Sequence, residues 1–250
     1  MRVHYFERVS STMDLLHELA SSGADAGTAV LAGEQLQGRG SRGRTWDSPP
    51  GGVWLSVLFR PPVVEGMEVV SLRAGLTVAE AVQPLIPEPL QLKWPNDVML
   101  GGRKVGGVLC EARWQGEVLS WVAVGIGMNV RNTISVELEA SAMTLSAIVP
   151  QISVDDVYQA LLPAVRKLDL GVGQLSAAEL RRFAARDWLS GRMIREPVAG
   201  RVQGISPDGA LLVHTTSGLD IPLRSGPVEL AQSLTGGNLD HAARTRHRQH

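Results

Sequence analysis

The chain has 250 residues, of which 44% are hydrophobic, and its formal net charge at pH 7 is −1. This length suits one large domain, or one large and one small domain, and the near-neutral charge argues against nucleic-acid binding through bulk electrostatics. The single cysteine excludes an internal disulfide framework and a cysteine cluster for zinc. We find neither a secretory signal nor an apolar run of the roughly 18 residues that span a membrane, so we expect a cytoplasmic protein.

The first third of the chain predicts two strands and a helix that lead into a loop rich in glycine and arginine. Residues 2–9 are expected to form a strand, and the following helix begins where Ser11 and Asp14 have the spacing of a capping box. A second strand covers residues 29–32, and the loop of residues 38–46 (GRGSRGRTW) follows it. Glycine permits close backbone approach to a ligand, and arginine binds carboxylate and phosphate. The loop therefore predicts a small anionic ligand, although Arg-Gly repeats also occur in segments that bind nucleic acid.

The middle of the chain predicts the core of a sheet. Alternating apolar residues indicate a buried strand over residues 53–60, and a 3–4 spacing indicates a helix over residues 69–82. A strand over residues 90–94 precedes two hairpins, which turn at residues 101–102 and 115–116. We expect Trp54 and Trp94 to be core residues because both lie in apolar strands. Neighbouring elements of this one sheet are expected to carry Asn96, Lys104 and Asn129.

The last third predicts helices and then a change to short strands. Helices are expected over residues 153–169 and 176–189, each starting with a capping-box pair. From Gly191 onward, short apolar runs alternate with turn residues, which is typical of a small antiparallel barrel. Beyond Ala231 hydrophobic residues thin out, and we interpret this segment as a disordered tail, with a metal-binding histidine tract as the alternative. The predicted domains are residues 1–189, 190–232 and, as the tail, 233–250.

Four stretches occur in the order and at the spacing typical of biotin–protein ligases. They are Ser11-Thr12, the residue 38–46 loop, Lys93-Trp94-Pro95-Asn96-Asp97 with Lys104-Val105-Gly106-Gly107, and Gly125-Ile126-Gly127-Met128-Asn129. The chain resembles this family over about residues 4–230, and the loop and the Lys-Trp-Pro-Asn-Asp box together are highly specific. The resemblance implies an α+β fold, with a mixed β-sheet catalytic domain related to class II aminoacyl-tRNA synthetases and a small C-terminal SH3-like β-barrel. Some members add an N-terminal DNA-binding domain, and we expect a ligase without it.

The resemblance also implies the reaction. An ATP-dependent biotin–protein ligase converts biotin to biotinyl-5′-AMP and then transfers biotin to a lysine of a biotin carboxyl carrier protein, such as that of acetyl-CoA carboxylase. ATP and biotin are the substrates, and Mg²⁺ is expected to accompany ATP, held largely by phosphates and water. Asp97 is a candidate Mg²⁺ ligand, with ordering of the hairpin turn as the alternative. A homodimer through a sheet edge is common in the family.

The resemblance assigns site residues by their positions in the shared stretches. The implied catalytic residues are Lys104, Arg39 and Arg44. The implied biotin site consists of Ser11, Thr12, Gln35, Gly38, Arg39, Gly40, Lys104 and Gly107. The implied ATP and adenylate site consists of Arg42, Arg44, Trp46, Asn96 and Asn129. Such cations are needed because two unit anions about 4 Å apart repel by roughly 4 kcal/mol at an effective dielectric near 20.

One position departs from the family pattern. Many members carry an arginine, linked with holding the reactive adenylate, where this chain has Ser41. Arg42 follows directly and is expected to compensate.

Two other functions are open at this point. A lipoate or octanoate protein ligase shares the catalytic fold but normally lacks the residue 38–46 loop and the Lys-Trp-Pro-Asn-Asp box. A nucleic-acid-binding module could use the Arg-Gly loop and the basic tail, although the net charge weighs against it. Deleting residues 234–250 distinguishes the two classes of function, because a ligase should retain its activity.

Overall fold

The computed structural model describes residues 1–62, 64, 66–171 and 173–231, and within them twelve strands and four α-helices. The first half comprises β1 (Val3–Val9), α1 (Thr12–Ser21), β2 (Ala29–Gln35), β3 (Val53–Phe59), α2 (Met67–Val82), β4 (Gln91–Lys93), β5 (Asp97–Leu100), β6 (Arg103–Gln115) and β7 (Val118–Met128). The second half comprises α3 (Val154–Val165), α4 (Ala177–Ala184), β8 (Met193–Glu196), β9 (Gly200–Ile205), β10 (Leu211–Thr215), β11 (Asp220–Leu223) and β12 (Glu229–Leu230). None of these helices is long and apolar enough to cross a lipid bilayer.

Strands β1 to β7 form one mixed sheet in the order β1-β2-β3-β7-β6-β5-β4. The β1–β2 pair is parallel and the other pairs are antiparallel. The interior strand β3 is buried on both of its faces, because helices cover both sides of the sheet. Leu58 packs with residues of α1 on one side, while Leu55 and Val57 pack with residues of α2 and α3 on the other. The predicted α+β class with a mixed sheet is confirmed, as is the core position of Trp54 and Trp94.

Two of the three expected capping boxes form. Ser153 and Ser176 each accept a hydrogen bond from the backbone N–H three residues later, and the acidic side chain there accepts one in return. The expected box at the start of α1 is wrong: Ser11 is the N-cap residue, but its side chain makes no cap bond. Asp14 instead pairs with Arg39 of the loop. A tertiary ion pair has replaced the local cap.

The last two helices of the large sheet's domain end earlier than the sequence indicated. Helix α3 stops at Val165, and α4 stops at Ala184 rather than near residue 189. The chain after α4 leaves the helix because its backbone pairs with β4. Leu92 N donates to Arg186 O at 2.8 Å, and Trp188 N donates to Leu92 O at 2.9 Å. Hydrogen bonds to a distant strand thus override the local helical pattern.

A second, five-stranded antiparallel sheet follows in the order β11-β10-β9-β8-β12. Its inward residues, among them Val202, Leu211 and Val213, belong to the same hydrophobic cluster as the large sheet. The indole N–H of Trp94 donates to Gly209 O at 2.9 Å. The small sheet therefore packs against the larger one, as expected for an element with little core of its own. Its closure into an SH3-like barrel and the boundary at residues 189–190 stay predictions, and the tail of residues 233–250 lies outside the described residues.

Candidate active site

A cavity of about 580 Å³ opens beside the residue 38–46 loop. This volume is in the range of small-molecule and cofactor sites. The cavity walls come from β2, the loop, strands β4 to β7, residues 133–142 and Trp188. Most of the predicted site residues line it, namely Ser11, Thr12, Gln35, Arg39, Gly40, Arg44, Trp46, Asn96, Asp97, Lys104, Gly107 and Asn129. Gly38 and Arg42 are not part of the lining.

One end of the cavity, the hydroxyl–amide end, is formed by Ser11, Thr12 and Gln35. The Gln35 carbonyl oxygen accepts from Thr12 N at 2.8 Å and from Thr12 Oγ1 at 3.0 Å. The Gln35 amide nitrogen donates to Ser48 Oγ at 2.8 Å, and Thr12 Oγ1 lies 2.8 Å from Ser56 Oγ. Ser11 Oγ is buried and has no hydrogen-bond partner among the described residues. A buried hydroxyl of this kind is available to a polar, uncharged ligand group.

Arg39 connects the loop to α1 and β6 through carboxylates. Its guanidinium pairs with Asp14 Oδ1 at 3.0 Å and with Glu111 Oε1 at 3.1 Å. The second Glu111 oxygen lies 2.9 Å from His17 Nε2, and His17 Nδ1 accepts from the indole N–H of Trp121 at 2.8 Å. The hydrogen bond from His17, and then the charge of Arg39, lower the pKa of Glu111 to about 2 despite burial. The charge of Arg39 is therefore offset within the protein.

The loop itself is closed by backbone hydrogen bonds. Trp46 N donates to Gly38 O at 2.8 Å, and Gly40 N donates to Arg44 O at 2.7 Å. A Cβ at Gly38 would lie 2.3 Å from the Trp46 carbonyl oxygen, so only glycine fits at this position. Gly38 therefore helps to close the loop, and its predicted ligand contact stays a prediction.

Ser41 and Arg42 lie differently with respect to the cavity. Arg42 is exposed, has a positive φ of 61° and lies outside the cavity lining, whereas Ser41 lies within it. Ser41 holds Arg44, whose Nη2 donates to Ser41 Oγ at 2.9 Å and whose Nε donates to Ser41 O at 3.2 Å. The expected compensation by Arg42 and its expected ATP contact stay predictions, which the exposed position of Arg42 does not support.

The Trp46 indole covers a floor of glycines. Asp97, Gly107 and Gly127 lie side by side across β5, β6 and β7. A Cβ at Gly127 would lie 2.6 Å from the Trp46 ring, and one at Gly107 would lie 3.1 Å from it. Side chains at these positions would displace the aromatic ring from the sheet, which gives the Gly-Gly and Gly-Ile-Gly patterns a physical reason.

Lys104 lies between this ring and Asp97. Its Nζ is 4.7 Å from the centre of the Trp46 ring and 2.6 Å from Asp97 Oδ1. Cation–π contact and ion pair together fix the ammonium at the middle of the cavity. Asp97 thus has a partner already, which speaks for a role in holding Lys104.

The two predicted amide residues differ in their surroundings. The Asn96 side-chain amide donates to Val108 O at 2.8 Å, so it fastens the β5 turn to β6. Asn129 is 5% exposed, and its side-chain oxygen accepts from Asn132 Nδ2 at 3.2 Å. Both line the cavity, but the donor group of Asn96 is already engaged.

Sequence reasoning missed a cation and an aromatic ring at the far end of the cavity. Lys93 lines the cavity with its Nζ 5.4 Å from the centre of the Trp188 ring, and Arg192 stacks on the same ring at 4.3 Å. Burial is the largest influence on the pKa of Lys93 and lowers it; nearby Asp97 raises this pKa, and Lys104 and Arg44 lower it. Lys93 belongs to the Lys-Trp-Pro-Asn-Asp box and could have been found there, whereas nothing in the sequence marks Trp188.

The other cavity residues that the sequence did not indicate lie outside any recognisable motif. The carboxylates of Asp14 and Glu111 reach Arg39 only through the fold. The segment of residues 133–142 forms one wall of the cavity, and Lys104 N donates to Ser141 O at 2.8 Å.

The fold and the cavity define the class of protein. A small-molecule cavity beside a glycine-rich loop on a mixed sheet, with a neutral polar end and several cations, is typical of an enzyme site for a ligand that has both uncharged polar and anionic groups. The model of the Biotin/lipoate A/B protein ligase family matches residues 5–129. The chain belongs to this family.

Individual relatives narrow the comparison. The chain is 30% identical over 238 residues to the bifunctional ligase/repressor BirA of Bacillus subtilis, covering 90% of this chain and 73% of that protein. It is 29% identical over 218 residues to the biotin–[acetyl-CoA-carboxylase] ligase of Paracoccus denitrificans, covering 77% of this chain and 86% of that one. The solved biotin protein ligase of Aquifex aeolicus in complex with biotin and ATP has a TM-score of 0.77 at 28% identity, and the match covers 93% of this chain and 99% of that chain. Within the family, the expected resemblance to biotin protein ligases is confirmed.

Proposed function

We propose that this protein is an ATP-dependent biotin protein ligase, which forms biotinyl-5′-AMP and then biotinylates a lysine of a biotin carboxyl carrier domain. The observation that carries the proposal is the single cavity that joins the hydroxyl–amide end to several cations. Ser11, Thr12 and Gln35 suit the uncharged ureido ring of biotin, which both donates and accepts hydrogen bonds. Lys104 and Arg44 suit the carboxylate and the phosphates. Biotin and ATP in the Aquifex aeolicus structure support the same pair of substrates.

In the first step a biotin carboxylate oxygen attacks the α-phosphorus of ATP. A phosphorus–oxygen bond forms to the carboxylate, and the bond to the oxygen that bridges the α- and β-phosphorus breaks. Pyrophosphate leaves with that electron pair, and no proton is transferred. Two anions must approach, so a fixed cation between them lowers the barrier most. Lys104 has that position because Trp46 and Asp97 hold its ammonium at the middle of the cavity.

In the second step the amine of the acceptor lysine attacks the acyl carbon of the adenylate. The new carbon–nitrogen bond is the amide, and AMP leaves with the electron pair of the broken carbon–oxygen bond. The attacking amine must be neutral, so the lysine ammonium first loses one proton to solvent. The amine loses a second proton to solvent as the amide forms. We propose that the ring of Trp46 stacks on adenine and that Asn129 contacts the nucleotide.

Arg39 has a different role in this proposal from the one that its motif implied. Its guanidinium already faces two carboxylates, so it contributes little net charge to offset the anions. We assign it to closing the loop over biotin. The catalytic cations are then Lys104 and Arg44.

We propose that Mg²⁺ arrives with ATP and is held mainly by phosphates and water. No group of three or more His, Cys, Asp or Glu side chains able to hold a metal occurs in the part of the chain that the structure describes. A Mg²⁺ ion that accompanies a nucleotide needs only one or two carboxylates, so Asp97 is sufficient as a protein contact. The ion would supply charge neutralisation at the phosphates.

We also propose the setting in which the enzyme works. The catalytic domain comprises residues 1–189 and the SH3-like domain residues 190–232, in the cytoplasm. A homodimer would form through a sheet edge, where Val3, Tyr5 and Phe6 of the edge strand β1 are exposed. Light scattering on the purified protein tests the dimer, and Tyr5→Lys should shift it toward monomer. A monomer at all concentrations would contradict the dimer and leave the ligase proposal intact.

The decisive experiment incubates the protein with biotin, ATP and Mg²⁺ and detects biotinyl-5′-AMP by mass spectrometry. Parallel reactions contain lipoate or octanoate in place of biotin. A biotin carboxyl carrier domain is then added, and its intact mass should rise by one biotinyl group. An adenylate from lipoate or octanoate, with none from biotin, would overturn the proposed substrate.

A further inference from the structure

Four cations line the cavity, and they fall into two pairs. Arg39 and Lys104 each form an ion pair with a carboxylate. Arg44 and Lys93 form no ion pair with any residue that the structure describes. The guanidinium of Arg44 donates to Ser41, which is neutral, and the ammonium of Lys93 lies over the Trp188 ring. Among the described residues, Arg44 and Lys93 are thus without a direct carboxylate contact, although Asp97, which pairs with Lys104, is near enough to raise the pKa of Lys93.

The two cations without a direct carboxylate contact, Lys93 and Arg44, both line the cavity. Burial is the largest influence on the pKa of Lys93 and lowers it; nearby Asp97 raises this pKa, and Lys104 and Arg44 lower it. Like charges that converge on a partly buried cavity are unfavourable for the folded protein, and an anion bound between them relieves this repulsion. An exposed lysine would orient freely in water instead. Lys93 is half-buried, and Trp188 limits where its ammonium can lie.

Trp188 is itself fixed by the fold. Its backbone N–H donates to Leu92 O at 2.9 Å, directly beside Lys93 on β4. Arg192 stacks on the same ring at 4.3 Å but does not line the cavity. One indole therefore carries two cations, of which only Lys93 lines the cavity.

We propose that Lys93, positioned by Trp188 and acting with Arg44, binds the β- and γ-phosphates of the nucleotide and the pyrophosphate that leaves. The inference rests on the proposed function. When the bond between the α-phosphorus and the bridging oxygen breaks, the electron pair remains on pyrophosphate. Lys93 and Arg44 stabilise the charge that develops there. Lys104, at the middle of the cavity, serves the carboxylate and the α-phosphate.

If Lys93 contacts only the β- and γ-phosphates, its loss should affect adenylate formation and leave biotin transfer unchanged. Biotinyl-5′-AMP carries no β- or γ-phosphate, so the transfer of biotin to the acceptor does not need Lys93. Adenylate formation from ATP does need it. A residue that only stabilised the fold would affect both half-reactions alike.

The test compares Lys93→Met with Arg192→Met, which removes the other cation in contact with the same indole. Each variant is assayed for adenylate formation from ATP, for inhibition of that step by inorganic pyrophosphate, and for biotin transfer from synthetic biotinyl-5′-AMP to a carrier domain. We expect Lys93→Met to raise the KM for ATP and the inhibition constant for pyrophosphate about tenfold or more, the ratio that corresponds to about 1.4 kcal/mol. The KM for biotin and the transfer step should stay within twofold of the wild-type protein.

Further variants complete the test. Arg192→Met should match the wild type in all assays, and Lys93→Arg should recover most of the lost ATP affinity. Trp188→Leu should raise the KM for ATP less than Lys93→Met does. An unchanged KM for ATP in Lys93→Met, or an equal loss in both half-reactions, would overturn the assignment of Lys93. A calorimetric titration with inorganic pyrophosphate measures anion binding without turnover. If the wild-type protein forms no adenylate from ATP but Lys93→Met binds pyrophosphate more weakly in this titration, the proposed function fails and the anion site stands.

Discussion

The two ends of the cavity differ in whether their polar and charged groups have partners within the protein. At the hydroxyl–amide end, Thr12 and Gln35 are hydrogen-bonded to each other, and the charge of nearby Arg39 is met by two carboxylates. At the far end, Lys93 and Arg44 form no ion pair with any described residue, and the nearby carboxylate of Asp97 is paired with Lys104. At the first end most polar groups are paired with one another and the Ser11 hydroxyl is left for a ligand, whereas at the far end two cations are without a direct carboxylate contact.

The difference corresponds to what each end is proposed to bind. A neutral ring gains from hydrogen-bonding groups that are already oriented, because reorganisation on binding costs affinity. A polyanion gains from cations whose own partners are absent, since breaking an existing ion pair would offset much of the attraction. We therefore assign Arg39 to the hydroxyl–amide end, although its positive charge had suggested a role at the far end. The following changes are ordered by expected effect and probe this contrast.

The largest effect is expected at the junction of the two ends. Lys104→Ala removes the cation that lies between the reacting anions, so adenylate formation should slow by about 10²- to 10³-fold. Biotin affinity should stay measurable, because the hydroxyl–amide end is intact. Pyrophosphate release and a biotin-binding titration measure the two properties separately, with Lys167→Ala as a control at an exposed lysine. Near-normal pyrophosphate release from Lys104→Ala would refute its role.

At the paired end, Glu111→Gln removes the main partner of Arg39. A hydrogen bond between charged groups contributes about 1.5–3 kcal/mol, so the KM for biotin should rise about tenfold or more while the KM for ATP changes little. Trypsin should also cleave faster after Arg42 and Arg44, because the loop loses its connection to β6. Glu34→Gln is the matched control, since Glu34 pairs with exposed Arg8 outside the cavity. Equal KM values and cleavage rates for the two variants would show that Glu111 does not hold the loop.

A substitution at position 41 tests whether one more positive charge in the cavity lining would strengthen binding of the adenylate. Ser41→Arg should slow release of biotinyl-5′-AMP by about five- to tenfold, because a guanidinium in the cavity lining can bind the adenylate phosphate. Ser41→Ala separates this gain from the loss of the hydroxyl that holds Arg44. Release is followed by rapid mixing of the preloaded enzyme with an adenylate trap. Identical release rates for Ser41→Arg and the wild type would exclude the proposed difference.

The smallest effect concerns stability at low pH. The pKa of Glu111 falls from its ordinary value of 4.5 to about 2 on folding. A carboxyl whose pKa is depressed stabilises the folded state fully above its unfolded pKa, and this stabilisation is lost as pH falls toward the folded pKa. The wild type should therefore have a Tm a few degrees above that of Glu111→Gln near pH 7, and the difference should shrink between about pH 4.5 and 2. Calorimetry across this range measures it, and a constant difference would mean that the charge of Glu111 does not contribute.

The sequence by itself determined several features that depend on neighbouring residues. Alternation at residues 53–59 placed the buried strand β3, because a β-strand turns successive side chains to opposite faces. Gly101 and Gly102 placed a hairpin, and Ser153 and Ser176 placed two helix starts. The loop and the Lys-Trp-Pro-Asn-Asp box led to the cavity, since each motif carries several functional groups on a short piece of chain.

Only the tertiary structure decided which charges of the cavity are compensated. Arg39 meets Glu111 across 72 positions of sequence, and His17 meets Glu111 across 94. Asp14 had the spacing of a helix cap, yet it pairs with Arg39 instead. Electrostatic partners are chosen by distance in space, and no local pattern reports that distance. The pairing of Arg39 with carboxylates, and the lack of a direct carboxylate contact for Lys93 and Arg44 among the described residues, are therefore properties of the fold.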